Sequence, residues 1–160
     1  MQILKLSYAL VALAFLSTSS SAQEKLPIKF GKVSVQDFDI KSPLIDSSTN
    51  AVVVADLGKT EFIANSNEHT FSLKFIAKKR IKIINKNGFD AATISIPLYV
   101  SNNGNEEKLA DLDAFTYNIE NGEVVKIKLP KASVFTEKYN KNHIIKKFTF
   151  PGIKEGSIIE

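Results

Sequence analysis

The stretch that decides the fold is residues 70–85, which read T-F-S-L-K-F-I-A-K-K-R-I-K-I-I-N. Apolar residues recur at alternate positions, and most of the positions between them are polar or basic. The apolar set is Phe71, Leu73, Phe75, Ala77, Ile81 and Ile83. Because successive side chains of a β-strand point to opposite faces, this alternation predicts a strand with one apolar face for the core and one basic face for solvent.

Lys79 interrupts the apolar face of this predicted strand. A buried lysine without a partner is costly, and the stretch is longer than the usual strand of about 17–20 Å. We therefore expect a bend or bulge near Lys78 that lets Lys79 reach water. Lys78, Lys79 and Arg80 are the candidate ligand-binding residues, for an anion or a polysaccharide. The alternative is a solvated basic face that protects the sheet from edge pairing.

The N-terminus predicts a signal peptide at residues 1–22. Lys5 supplies a positive start, residues 10–16 form an apolar core, and Ser20-Ser21-Ala22 places small residues at the cleavage site. Cleavage after Ala22 would leave residues 23–160 as one β-rich domain, exported to the periplasm or the cell exterior. The apolar run is too short for a permanent membrane span, so we expect none after cleavage.

Charge and composition exclude several classes of function. The chain has 21 basic and 17 acidic residues, a net charge of +4, and loss of Lys5 with the signal peptide leaves +3. This weak charge does not argue for nucleic acid, whose binding rests on many phosphate contacts. The sequence has no cysteine, and hence no disulfide or thiolate site. It also has no Gly-x-Ser-x-Gly, P-loop or dinucleotide fingerprint, so no cofactor is expected.

The rest of the chain reads as short strands between turns. Residues 51–57, A-V-V-V-A-D-L, are typical of a strand covered on both faces, and Gly58-Lys59 predicts a turn. Asn87-Gly88 is a hairpin signal. Residues 92–100 alternate again, and Pro97 indicates an edge strand or a bulge there.

The sequence of residues 115–129 predicts a hairpin and also indicates which residues pair across it. A two-residue turn would place apolar residues opposite lysines, whereas a three-residue loop at Glu120–Gly122 pairs Tyr117 with Val125. We therefore predict the longer loop, with Gly122 in the left-handed region.

The C-terminal part predicts a further strand pair and an unfinished strand. Residues 132–139 and 143–150 form the pair, and a strand begins at residues 157–160. Ser34 could cap a short helical turn. Together these patterns predict an all-β protein, an antiparallel sandwich-like or curled sheet with short helical turns at most. We expect a fragment, incomplete at its C-terminal end.

Few residues offer catalytic or metal-binding chemistry. His69 and His143 lack a second histidine at metal spacing and are interpreted as structural. Residues 102–107 supply oxygen ligands but lack the alternating carboxylates of a calcium loop. Asp111 and Asp113 would share one strand face, and paired carboxylates can hydrolyse glycosides, but such pairs are common at exposed edges. We therefore expect no metal site and no enzyme activity in this fragment.

Four segments carry a family resemblance: A-V-V-V-A-D-L-G-K at 51–59, K-K-R-I-K-I-I-N-K-N-G at 78–88, A-F-T-Y-N-I-E-N-G-E-V-V at 114–125 and F-P-G-I-K-E-G-S-I-I-E at 150–160. Their order resembles the uncharacterised N-terminal domain of exported bacterial proteins that carry a transglutaminase-like domain further on. The resemblance implies such a domain beyond Glu160 as the partner. No catalytic residue of that domain falls on this chain.

The sequence therefore favours a non-catalytic β-sandwich module, accessory to a downstream transglutaminase-like domain. The alternative is an independent carbohydrate- or peptide-binding module of the periplasm or cell surface. A third possibility, a hydrolase using Asp111 and Asp113, requires activity that disappears when either is replaced by asparagine.

Overall fold

A computed structural model describes residues 28–65, 70–101 and 106–160, so the predicted signal peptide at 1–22 lies outside the described residues. Within these ranges the protein is all-β, as predicted. The strands are β1 (Ala51–Asn65), β2 (Thr70–Ile83), β3 (Thr93–Tyr99), β4 (Phe115–Glu120), β5 (Glu123–Lys128), β6 (Phe135–Lys138), β7 (His143–Thr149) and β8 (Ile158–Ile159). Short 3₁₀ helices cover Val35–Phe38, Lys86–Ala92 and Lys131–Ser133.

The strands form two antiparallel sheets. The five-stranded sheet has the order β1-β2-β8-β4-β5, and the three-stranded sheet has the order β3-β7-β6. Short β8 lies between β2 and β4, where it joins the β1–β2 hairpin to the β4–β5 hairpin. The last strand of the described chain therefore sits in the middle of the larger sheet.

One apolar cluster connects the two sheets. Ile83 of β2 and Ile159 of β8 are 0% and 1% exposed, and they pack in the same cluster as Phe148 of β7. The other buried members are Ile81, Ala92, Ala114, Leu129 and Phe150. Each large apolar side chain buried in this way contributes about 1.5–3 kcal/mol. The cluster anchors the β1–β2 hairpin at its base.

The apolar face predicted for residues 70–85 is buried only at one end. Ile81 and Ile83 lie in the core, but Phe71, Leu73 and Phe75 are 74%, 64% and 69% exposed. The prediction that these three face the core is wrong. Alternation determines which side chains share a face of the strand, but not how far the opposing layer extends along it.

Strand β1 corrects two further predictions. Gly58-Lys59 makes no turn, because β1 runs unbroken through it and stays paired with β2. A Cβ at Gly58 would lie 3.4 Å from the ring of Phe75, so the ring covers the glycine. Residues 51–57 are not covered on both faces either, since β1 is an edge strand in which Val53 is 56% exposed.

The irregularity expected near Lys79 is present, but it lies in the neighbouring strand. The ladder shifts between Val53 and Ala55, which leaves Val54 as an extra residue in β1. Such a bulge bends and twists the strand locally. Lys79 is exposed, as expected, and its ammonium lies 2.8 Å from the Asp56 carboxylate.

The segment at residues 85–88 is not a hairpin turn. It enters the second 3₁₀ helix, which carries the chain from the larger sheet to the smaller one. The Asn85 side chain accepts a hydrogen bond from the Asn87 backbone at 2.9 Å, so it caps this helix instead of turning a hairpin. A Cβ at Gly88 would lie 2.1 Å from the Asn50 carbonyl oxygen. The glycine therefore permits close backbone packing.

The β4–β5 hairpin turns in two residues, so the predicted three-residue loop is wrong. Asn121 and Gly122 have φ values of 52° and 83°, and Glu120 pairs with Glu123. Two successive positive φ values are the mark of a type I′ turn, whose twist matches that of the strands.

Aromatic–lysine pairs replace the apolar pairs that the longer loop was meant to create. Phe115 opposes Lys128, and Tyr117 opposes Lys126. The Lys126 ammonium lies 3.8 Å from the ring centroid of Phe115 and 5.4 Å from that of Tyr117. These are favourable cation–π contacts. The prediction failed because it treated only apolar pairs as favourable across the ladder.

The remaining strand predictions are confirmed. β3 covers most of residues 92–100 and is an edge strand, which suits Pro97. β6 pairs with β7, and β8 forms in the segment 157–160. The short helical turn after Ser34 is also present. Both the backbone nitrogen and the hydroxyl of Ser34 donate to the Asp37 carboxylate at 2.7 Å.

Candidate binding surface

The outer half of the β1–β2 hairpin exposes four large apolar side chains on one face. Phe62 is 78% exposed, more than any of the three exposed apolar residues of β2. It opposes Leu73, and Phe71 and Phe75 flank Leu73 on the same face of β2. We call Phe62, Phe71, Leu73 and Phe75 the hairpin face. Contiguous exposed apolar surface on a soluble domain is typical of an interaction site.

The length of the hairpin explains why this face is uncovered. β1 has 15 residues and β2 has 14, whereas strands of about 5–6 residues are usual. At about 3.3 Å per residue, Phe75 lies about 20 Å along β2 from Ile81, which marks the edge of the core. The outer hairpin therefore projects beyond the layer that covers its base.

Regular pairing holds the hairpin face in one arrangement. After the bulge, the ladder runs without interruption from the Ala55–Arg80 pair to the Asn65–Thr70 pair. The ring of Phe75 lies over Gly58 on the neighbouring strand. An aromatic side chain placed over a strand glycine compensates for the missing side chain. The face is therefore preorganised for binding, which lowers the entropy lost on association.

The reverse face of the hairpin carries lysines together with the apolar residues Leu57, Ile63 and Ile76. The Lys59 ammonium donates a hydrogen bond to the Glu61 carboxylate. This hydrogen bond and the positive charge of Lys59 lower the pKa of Glu61. Lys74 opposes Glu61 across the ladder, and Lys78 is exposed and forms no ion pair with any described residue. Lys59, Lys74 and Lys78 thus outnumber the single acid on this face.

The three candidate ligand-binding residues lie in three different environments. Lys78 points to solvent on the reverse face, and Lys79 is paired with Asp56 on the opposite face. Arg80 is 2% exposed. The structure does not bring Lys78, Lys79 and Arg80 together as one basic patch, because strand alternation separates Lys79 from its neighbours.

Arg80 is the centre of a buried ionic cluster. Its Nε donates to Glu160 Oε1 at 2.6 Å, and Nη1 donates to Asp37 Oδ1 at 3.2 Å. Its Nη2 donates to the carbonyl oxygens of Lys29 and Lys32 at 3.0 and 3.1 Å. All three guanidinium nitrogens are engaged and the side chain is buried, so Arg80 joins the N-terminal segment to the sheet and is not displayed on the surface.

Glu160 completes this cluster with its second carboxylate oxygen. Oε2 accepts hydrogen bonds from the Tyr117 hydroxyl at 2.9 Å and from the Gly31 backbone nitrogen at 2.8 Å. Burial, together with this hydrogen bond and the negative charge of Glu160, raises the pKa of Tyr117 well above its usual range. Tyr117 therefore stays neutral, and its hydroxyl donates a hydrogen bond to the carboxylate.

A cavity of 260 Å³ opens beside the cluster, against Arg80, Asp37 and the backbone turn at Lys29–Lys32. Of the charged side chains in its lining, Arg80 and Asp37 are paired with each other. Partial burial opposes ionisation of Asp37, but hydrogen bonds from Ser34 and the charge of Arg80 outweigh it and lower the pKa of Asp37. Asp37 is therefore ionised and paired at the edge of this cavity.

A second polar network positions β8. The Ser157 hydroxyl donates to Asn118 Oδ1 at 2.5 Å, and Asn118 Nδ2 donates to the Gly152 carbonyl at 2.9 Å. Lys82 donates to the Gly156 carbonyl at 2.6 Å, and burial lowers the pKa of Lys82. Sequence reasoning missed this network, because the partners are turn carbonyls. Its only signal was the pair of glycines in residues 150–157.

The carboxylates considered for hydrolysis form no paired site. Asp113 is exposed and lies 2.9 Å from the Lys128 ammonium. The hydrogen bond and positive charge of Lys128 lower the pKa of Asp113. Asp111 is exposed, with no ion pair to any described residue. An ionised carboxylate held by a lysine is a poor proton donor, so Asp113 does not resemble the general acid of a glycosidase.

His143 is the one histidine among the described residues, and its ring has partners of its own. His143 packs edge-on against Tyr99, with centroids 5.8 Å apart, and its Nδ1 lies 3.1 Å from Asn140 Oδ1. No three described His, Asp or Glu residues are placed to hold a metal ion. His69 and residues 102–105 of the considered calcium loop lie outside the described residues.

No family model, curated protein or solved structure matches this chain. Over residues 28–65, 70–101 and 106–160, no helix has the length and apolar character needed to cross a membrane.

Proposed function

We propose that this chain is a non-catalytic β-module of an exported bacterial protein, periplasmic or extracellular. In this proposal the module docks through the hairpin face onto a transglutaminase-like domain of the same polypeptide. The four uncovered apolar side chains of the hairpin face carry the proposal. The identity of the partner comes from the sequence resemblance.

The size of the hairpin face supports a protein partner. An aromatic side chain can bury about 150–250 Å², so three phenylalanines and one leucine supply on the order of 500 Å². A standard interface buries about 800 Å² on each partner. The hairpin face would thus form the apolar centre of an interface, with the basic residues of the reverse face outside it.

The alternative function is an independent peptide- or carbohydrate-binding module. The polysaccharide version depended on Lys78, Lys79 and Arg80 acting together, and the engagement of Arg80 and Lys79 counts against it.

The gene tests the identity of the partner first. A reading frame that continues past the Glu160 codon into a domain with the Cys and His of a transglutaminase supports the proposal. A stop codon at that point contradicts it.

A binding measurement then tests whether the hairpin face forms the interface. The transglutaminase-like domain would be titrated with residues 23–160 carrying Phe71→Thr, Leu73→Thr and Phe75→Thr, and we expect affinity to fall at least tenfold. Phe135→Thr is the matched control, because Phe135 is 68% exposed on β6 in the other sheet. Equal losses in both variants, or no loss in either, would remove the hairpin face from the interface.

A further inference from the structure

The three-stranded sheet carries a row of three aromatic rings across one end. Tyr99 of β3 opposes His143 of β7. Tyr139 follows β6 directly, and its backbone nitrogen donates to the His143 carbonyl at 3.1 Å, so it continues the row onto the third strand. We call Tyr99, His143 and Tyr139 the ring row.

The ring row lies on the face of this sheet that points away from the core. Leu98 and Phe148, which alternate with the ring positions on β3 and β7, are buried. Because successive side chains of a strand point to opposite faces, Tyr99 and His143 lie on the solvent side. Tyr139 is 70% exposed and Tyr99 is 37% exposed, so both rings are accessible to a ligand.

Backbone hydrogen bonds bring the first two rings together. The Tyr99 nitrogen donates to Glu107 Oε2 at 2.8 Å, and the Tyr99 carbonyl accepts from the Glu107 nitrogen at 2.8 Å. Both groups therefore point away from β7, which makes Tyr99 and His143 a non-hydrogen-bonded pair, the kind whose side chains lie closest. Their ring centroids are 5.8 Å apart, with 73° between the ring planes.

The turn between β6 and β7 holds the imidazole from the other side. His143 Nδ1 lies 3.1 Å from Asn140 Oδ1, and the same oxygen accepts from the Asn142 nitrogen at 2.8 Å. The central ring is thus held by Tyr99 on one strand and by Asn140 in the turn. A row fixed in this way is preorganised, which lowers the entropy lost on binding.

Several polar groups of the row are available to a ligand. The hydroxyls of Tyr99 and Tyr139, His143 Nε2 and Asn140 Nδ2 form no hydrogen bond with any described residue. A phenol both donates and accepts, a neutral imidazole nitrogen does one or the other, and an amide nitrogen donates. The row therefore combines ring faces with a set of hydrogen-bonding groups at their edges.

This combination suits a carbohydrate. A pyranose ring presents C–H groups on its faces, which pack on aromatic rings, and hydroxyls around its rim, which bond to groups such as those of the row. The hairpin face, by contrast, has four apolar side chains and suits a protein. Glu137 on β6 and Lys141 in the turn lie beside the row and have opposite charges, which favours an uncharged sugar.

The spacing of the two tyrosines selects the linkage. Neighbouring strands lie about 4.8 Å apart, so Tyr99 and Tyr139, which are two strands apart, are separated by about 10 Å. In a β-1,4-linked chain the sugars form an extended ribbon, and alternate sugars present the same face at about this separation. An α-1,4-linked chain coils and does not repeat the same face along a line.

We propose that the ring row binds an extended, uncharged β-1,4-linked glycan. Alternate sugars stack on Tyr99 and Tyr139, and substituents of the sugar between them bond to His143 and Asn140. The ring row and the hairpin face lie on different sheets, so this inference goes beyond the proposed docking and does not depend on it.

Calorimetric titration of the protein with three hexasaccharides tests the ligand class. Cellohexaose and chitohexaose are both β-1,4-linked, and they distinguish a glucose chain from an N-acetylglucosamine chain. We expect at least one of them to bind at least tenfold more tightly than α-1,4-linked maltohexaose. Equal binding of maltohexaose, or no binding of any of the three, overturns the proposal.

Variants of the ring row test the mode of binding. Tyr139→Ala and Tyr99→Ala should each weaken binding about tenfold or more, as loss of a central aromatic contact does. Tyr139→Phe keeps the ring and should change the affinity less than threefold. A loss with Tyr139→Ala but none with Tyr99→Ala would overturn the arrangement in which the glycan spans both tyrosines.

Phe135→Ala is the matched control, because Phe135 is an equally exposed aromatic residue of β6 outside the row. An equal loss with Phe135→Ala and Tyr139→Ala would overturn the assignment to the ring row. Thermal unfolding monitors the fold of each variant. The Tyr139 ring has no aromatic or cation–π contact among the described residues, so Tyr139→Ala should unfold close to the wild-type temperature.

The outcomes distinguish this inference from the proposed function. A Tyr139→Ala variant that loses the glycan but still binds the transglutaminase-like domain supports the ring row as a separate site. Failure of all three glycans to bind overturns this inference and leaves docking through the hairpin face unaffected. Concentration-dependent dimers that Tyr139→Ala abolishes, without any glycan binding, would assign the row to a second copy and also overturn it.

Discussion

The Arg80 guanidinium forms a buried ion pair with the Glu160 carboxylate, in which Nη2 lies 2.5 Å from Oε1. The Arg80 side chain is 2% exposed and the Glu160 side chain is 5% exposed. This pair joins the core end of β2 to the residue that follows β8. Through Asp37 and two backbone carbonyls it also secures the segment that precedes β1. It is a structural element at the point where the hairpin leaves the core.

Removing one partner of this pair should be strongly destabilising. Arg80→Met leaves the Glu160 carboxylate buried without its counter-ion, which typically costs about 3–5 kcal/mol. Adding Glu160→Gln removes the unpaired charge while keeping an acceptor for Tyr117, so the double variant should recover at least about 1 kcal/mol. Urea unfolding monitored by circular dichroism measures both.

The exposed ion pair one residue away is the control. Lys79→Met breaks the contact with Asp56, and exposed pairs contribute about 0–1 kcal/mol. If Arg80→Met costs no more than Lys79→Met, the buried cluster does not have the structural role described above.

Acid should loosen the N-terminal segment through Asp37. Its pKa is lowered in the folded protein, against about 3.9 for an unperturbed aspartate. The unfolded state therefore binds more protons near this pH. The stability that ionised Asp37 contributes is present above about pH 4 and is lost as the pH falls through its lowered folded pKa.

Unfolding midpoints measured between about pH 6 and pH 2 test this. Asp37→Asn should lose less stability on acidification than the wild type, because it has no carboxylate to protonate. Asp111→Asn, at an exposed aspartate outside the cluster, should follow the wild-type curve. Parallel curves for wild type and Asp37→Asn would show that Asp37 has no part in the acid response.

Gly88 should not tolerate a side chain. A methyl group there would lie 2.1 Å from the Asn50 carbonyl oxygen, which is backbone and has little freedom to move. Overpacking of this kind costs about 1–3 kcal/mol or more. Gly31→Ala is the comparison, since a Cβ at Gly31 meets nothing within 4 Å and only its φ of 81° opposes alanine. A smaller loss for Gly88→Ala than for Gly31→Ala, by thermal unfolding, would contradict the packing argument.

The sequence predicted the fold class because period-2 alternation is a local property. The strand at β3, the β6–β7 pair and the short helix after Ser34 follow from signals within a few residues of each other. The β4–β5 register and the chain path through Gly58 do not. The β4–β5 register depends on lysines that pack on Phe115, and the path through Gly58 depends on the Phe75 ring that covers this glycine. Both are contacts between different strands.

The candidate site was less predictable for the same reason. Lys78, Lys79 and Arg80 are adjacent in sequence, but alternation and burial give them different partners. The partners of Arg80 include Glu160, which lies 80 residues away in the chain. The hairpin face was visible as an apolar pattern, yet nothing in the pattern distinguishes a buried face from an exposed one.

The central claim is that Phe71, Leu73 and Phe75 continue the apolar face of β2 beyond the core. Comparing the unfolding free energy of Leu73→Thr with that of Ile83→Ala tests it most directly. We expect Leu73→Thr to lie within about 0.5 kcal/mol of the wild type, as is usual for surface positions. Ile83→Ala should lose about 2–5 kcal/mol. A loss of 2 kcal/mol or more for Leu73→Thr, on the scale of a core truncation, would mean that the hairpin face is part of the core of this chain and not a binding surface.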